Sequence, residues 1–71
     1  MNNDFNKRLG AVMREEREKA GKTQQDIAEK LGVTKTAVHQ WESGKRNIYA
    51  RTVIDYCSAL GIKVDTLFSR M

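Results

Sequence analysis

Apolar residues recur along this chain at three- and four-residue intervals, and no β-branched stretch alternates in the manner of a strand. Proline is absent, and four of the five glycines (Gly21, Gly32, Gly44 and Gly61) fall where an apolar period stops. Glycine is the usual residue just past a helix C-terminus, because it takes positive φ without a Cβ penalty. The pattern predicts an all-α chain of short helices joined by tight turns. No repeat, low-complexity tract or interdomain linker interrupts it.

Five segments follow. The first runs from about Asp4, a candidate N-cap, to Ala20, with Phe5, Leu9, Val12, Met13 and Ala20 on one stripe. The second starts at Thr23, with Asp26 three residues on as a variant of the capping box, and buries Ile27, Ala28 and Leu31. The third begins at Thr34 and reaches Ser43. Ala37, Val38 and Trp41 share its apolar arc, while Lys35, Thr36, His39, Gln40 and Ser43 fill the opposite one. The fourth, about Ala50 to Leu60, places Ala50, Val53, Ile54, Cys57 and Leu60 on a stripe. The fifth, about 64–69, carries Val64, Leu67 and Phe68, its start capped near Lys63 or by Asp65.

Length and composition narrow what such a bundle does. Seventy-one residues predict one small domain spanning 1–71. A lone cysteine excludes an internal disulfide framework, and one cysteine with one histidine cannot build an all-Cys/His zinc site. No apolar run approaches the ~18–20 residues that cross a bilayer, and Met1–Asn6 lacks the start of a signal peptide. A cytoplasmic, nucleoid-associated protein with no membrane partner is expected. The net charge of +4 makes nucleic acid the first partner to test. Most of that excess lies in residues 34–51, where Lys35, Lys45, Arg46 and Arg51 face only Glu42.

The stretch from Gln24 to Trp41 has a specific spacing. Ala28 is small where two crossing helices would touch, and Gly32 allows a tight turn four residues later. Val38 and Trp41 then lock the second helix to the core. That is the requirement for two helices crossing at roughly 90–120° through a short turn. A helix-turn-helix over about 23–43 is predicted, with Lys35–Ser43 offered to a DNA major groove.

The same residues carry a family likeness. The run TQQDIAEKLGVTKTAVHQWESGKRN, followed by an amphipathic helix and LGIKVDTLF, resembles the Cro/lambda-repressor (Cro/C1) type of helix-turn-helix domain. The likeness covers roughly Leu9 to Phe68. It implies a compact five-helix, lambda-repressor-like fold and a transcriptional regulator, mostly repressors, that binds palindromic operators as a dimer. It further implies base contacts from Lys35, Thr36 and Gln40, and backbone contacts from Gln24, Thr34, Ser43 and the Lys45–Arg46–Asn47 loop. Arg17 and Glu42 match a family ion pair tying the first helix to the end of the third.

Side-chain chemistry agrees with these roles. Gln24 lies at a helix N-terminus, where exposed N–H groups attract phosphate. Lys35 suits guanine O6 or N7, Gln40 suits adenine, and the Thr36 methyl suits thymine. His39 is read as a phosphate or base contact, or as a solvated histidine. Arg17, at the rim of its stripe, needs a partner that Glu42 can supply. Ile48 and Tyr49 depart from the family, which often has proline and a small capping residue there. Glu16 occupies a usually apolar position, predicting either looser packing of the first helix or a cation beside it.

Competing readings are weaker. Trp41 and Cys57 read as core residues. His39 and Ser43 share a helical face, yet a convex helix offers neither a pocket nor an oxyanion hole for a nucleophilic dyad. An enzyme is not expected, nor is a metal, a cofactor or a small-molecule ligand. The alternative is an antitoxin-like or other protein-interaction module. A homodimer would use the apolar surface left at Leu67, Phe68 and Met71, with Tyr56 from the fourth helix.

Overall fold

The computed structural model describes residues 3–71, with side chains from Asp4 onward. Five helices follow one another: α1 Asn3–Lys19, α2 Gln24–Leu31, α3 Lys35–Ser43, α4 Ala50–Leu60 and α5 Val64–Phe68. The described residues form no strand. α1 packs on α3, α2 crosses α3 and rests on α4, and α5 closes against α4 and α1.

Local chemistry sets the ends of α2 and α3. Thr23 Oγ1 accepts from the Asp26 amide while Asp26 accepts from the Thr23 amide, a reciprocal capping box. Thr34 Oγ1 caps α3 by accepting from the Ala37 amide at 3.1 Å. Between the two helices Gly32 adopts φ +68°, which turns the chain within three residues. α4 and α5 start at Tyr49 and Lys63 without any side-chain cap. Asp4 is no cap either: it lies inside the first turn of α1.

Leu9, Met13, Ile27, Ala28, Val38, Trp41, Val53, Tyr56, Cys57 and Leu67 form one core. Met13, Val38, Tyr56 and Leu67 are wholly inaccessible. At Gly10, α1 comes against the main chain of α3. A Cβ there would lie 2.4 Å from the Trp41 carbonyl oxygen and 2.7 Å from that of Glu42. Backbone meets backbone at this point, and only glycine fits.

Several expected core positions face outward. Phe5, Ala20, Ala50 and Ile54 are exposed, and Phe68 is 43% exposed. In α4 the buried stripe runs through Val53, Tyr56, Cys57 and Ala59, so it is rotated toward Tyr56 and leaves Ile54 outside its edge. Burial also corrects the expected dimer surface. Tyr56 and Leu67 are fully buried within the chain and have no area to offer a partner. Phe68 and Met71 keep some exposure, although Met71 packs partly on the core.

Glu16 resolves to the second of its two expected outcomes. It is only 6% exposed and meets a cation: Arg70 Nη1 donates to it at 2.7 Å, with Lys19 Nζ 3.5 Å away. Arg70 also pairs with Glu15, and Arg8 donates to the Met71 carbonyl, so the C-terminal residues are strapped to α1. The Arg70 hydrogen bond holds the Glu16 carboxyl below its ordinary range. Among the described residues no helix is long and apolar enough to cross a membrane.

Candidate nucleic-acid interface

Burying the Ala37–Val38–Trp41 face of α3 turns its other face outward. Lys35, Thr36 and His39 are exposed there, and Gln40 and Ser43 are half-buried. Ser43 Oγ lies 3.3 Å from the Gln40 carbonyl oxygen. At the head of the helix, Thr34 spends an oxygen lone pair on its cap and keeps its hydroxyl proton to donate. At the far end Gly44 releases the chain into the exposed loop Lys45–Arg46–Asn47. Asn47 Oδ1 accepts from Asn6 of α1 at 3.0 Å, so the loop is braced from behind.

The charges separate by partnership. Arg14, Arg17, Lys19, Arg51 and Arg70 all pair with carboxylates. Lys35, Lys45 and Arg46 form no ion pair among the described residues. Lys22, Lys30 and Lys63 are also without an ion pair among those residues, but Lys35 opens α3 and Lys45 and Arg46 follow directly on its end, so these three border its outward face and suit a polyanion there.

Behind this face sits a buried polar node centred on Glu42. Arg17 Nε donates to Oε2 at 2.8 Å and Nη2 to Oε1 at 3.0 Å, a bidentate pair. Gln24 Nε2 donates to Oε1 at 3.1 Å, and the Tyr56 hydroxyl donates to Oε2. The roughly four lone-pair positions of an ionised carboxylate are thus filled by donors from α1, α2 and α4. Burial alone would raise the Glu42 carboxyl. The hydrogen bonds from Arg17, Tyr56 and Gln24 outweigh it and hold the group below its ordinary value. Tyr56 is pushed up by burial and by the carboxylate it serves. Arg17 also donates through Nη1 to the Lys22 carbonyl oxygen. The described residues contain no buried side-chain polar atom without a partner.

The node floors a cleft of about 210 Å³ lined by Arg14, Arg17, Gln24, His39, Glu42 and Ser43. Three residues assigned from sequence to the DNA backbone (Gln24, His39 and Ser43) therefore meet in one place. Arg14, which the sequence does not single out, joins them. Its i,i+4 pairing with Glu18 disguised it. Glu42 lies in the same cleft as His39 and Ser43, but its acceptors are already taken. Lys35, Thr36 and Gln40 do not line the cleft and sit along the outer face of α3. The described residues hold no cluster of three or more His, Cys, Asp or Glu side chains suited to a metal, and Cys57 is free and buried.

A family model described as Helix-turn-helix matches residues 13–67, most of the chain and the whole of this frame. The chain belongs to that helix-turn-helix family. Its Cro/C1 type is a class of DNA-binding regulators. The helix-turn-helix domain also superposes on the crystal structure of the clp gene regulator ClgR from C. glutamicum. The TM-score is 0.88 and the identity 26%, over 92% of this chain and 84% of that one. Comparison with curated proteins finds no match.

Proposed function

We propose that this helix-turn-helix domain is a sequence-specific transcriptional regulator of double-stranded DNA, acting as a dimeric repressor on a palindromic operator. One observation carries the reading: an outward polar face on α3, continued by Lys45 and Arg46 as unpaired cations, on a frame whose family binds DNA. α3 enters the major groove. Lys35, Thr36 and Gln40 read base edges, while Gln24, Thr34, His39, Ser43, Lys45, Arg46 and Asn47 hold the backbone. Residues 1–71 act as one DNA-binding unit, working in the cytoplasm on the nucleoid.

The dimeric part of the reading rests on size. One helix in one groove buries little surface, and two half-sites a helical turn apart supply the rest. Phe68 and Met71 are what remains of the expected contact surface after Tyr56 and Leu67 are withdrawn. Selection of bound sequences from a random duplex pool tests the whole proposal. An inverted repeat with fixed half-site spacing supports it; a single ungapped half-site removes the dimer, and no enrichment removes sequence specificity.

A second reading, a protein-interaction module, is favoured by one feature. Tyr49 and Ile54, at the start and on the outer side of α4, are 69% and 52% exposed. Absence of duplex binding even at low salt selects that reading over the first.

A further inference from the structure

The Gln24 amide faces a carboxylate, and this decides which way round it sits. A carboxylate only accepts, so the nitrogen, 3.1 Å from Glu42 Oε1, must be the end turned toward it. One Nε2–H is committed to Glu42 and the second is not. Glu42 cannot swing away, because Arg17 grips both of its oxygens and the Tyr56 hydroxyl holds one of them. The amide is therefore fixed at the edge of the cleft it shares with Arg14, His39 and Ser43.

We infer that Glu42 is a positioning residue for DNA, orienting the Gln24 amide so that its second Nε2–H is presented to a backbone phosphate. The inference rests on the DNA-binding reading above. Charge alone predicts the opposite consequence. Removing a negative group from a DNA-facing surface strengthens binding to a polyanion. Positioning predicts that the same change weakens it.

The experiment is anisotropy of a labelled random-sequence duplex at two salt concentrations, with the folded fraction of each variant checked by circular dichroism. Gln24→Ala weakens binding roughly 10-fold, the scale of one hydrogen bond to a charged group. Its salt slope stays at the wild-type value, since a neutral amide displaces no counterion. Glu42→Gln weakens binding by a similar factor in the wild-type background and by nothing further in Gln24→Ala. A Glu42→Gln change that strengthens binding, or weakens it equally in both backgrounds, overturns the inference.

Should Glu42→Gln fail to fold, NMR of the unaltered protein decides. On adding duplex, one Gln24 side-chain amide proton shifts while its partner stays in place. Movement of both means that the amide leaves Glu42, and the inference is lost. A wild-type chain that binds no duplex at low salt overturns the DNA-binding reading and this inference with it. Binding with additive losses overturns this inference alone.

Discussion

Glu16 and Glu42 are both 6% exposed and both receive an arginine, yet they do different work. Glu42 is enclosed by side chains from three other helices, and the arginine that grips it is itself buried. Glu16 is reached from outside by Arg70 and Lys19, whose side chains are 34% and 69% exposed. Water and salt screen the second arrangement and barely touch the first. Equal burial of a carboxylate therefore says little until the exposure of its partners is known. One site ties α3 to its three neighbours; the other ties the residues after α5 to α1.

The sharpest way to break the comparison is to remove one partner at each site. Arg17→Ala leaves the Glu42 charge buried and is expected to cost about 3–5 kcal/mol in denaturant unfolding. On a domain of this size that removes most of the folded population. A loss no larger than that of Arg70→Ala would show that the two sites are equivalent after all.

Tyr56→Phe comes next. It deletes one donor to Glu42 while keeping the ring in the core, with an expected loss of about 1–2 kcal/mol by thermal unfolding. The same variant leaves Arg17 in place, so it separates the hydroxyl from the ion pair.

Acid gives the third test. Both carboxyls are held below their ordinary glutamate value of 4.5 in the folded chain. Stability is therefore fully present above that value and is lost as pH falls through the depressed folded values. Glu42→Gln should flatten part of this acid slope, measured as unfolding midpoint against pH. An unchanged slope would show that other carboxylates carry it.

The smallest effect belongs to Arg70→Ala. It should lower the thermal midpoint slightly in dilute buffer, and the difference from wild type should vanish in 1 M salt, where the screening length is about 3 Å. The loss on Arg17→Ala should persist under the same conditions.

Much of the fold was legible because its signals are local. Thr23, Asp26, Gly32 and Thr34 act within four residues of where they stand, and the structure uses them as caps and turn. The positions that sequence misjudged depend on how helices rotate against each other. Ile54 and Tyr56 are both large and lie two residues apart, and only the packing of α4 on its neighbours decides which turns inward. The link from Arg70 to Glu16 spans 54 residues and leaves no periodic trace. Gly10 did leave one: a glycine amid a long helix costs up to about 1 kcal/mol against alanine, which asks for a packing reason. At the site, residue types on α3 were readable, whereas the convergence of Arg14, Gln24 and His39 on one cleft was not.

The contact at Gly10 has a consequence for how readily this scaffold could acquire new targets. Because α1 grips α3 by its main chain near Trp41 and Glu42, the alignment of that helix depends little on the side chains at its opposite surface. On the proposed DNA-binding reading, exchanging Lys35, Thr36 and Gln40 together should redirect which duplex sequence is preferred while the melting temperature hardly moves. Diversity can accumulate on that outward face without loosening its mounting.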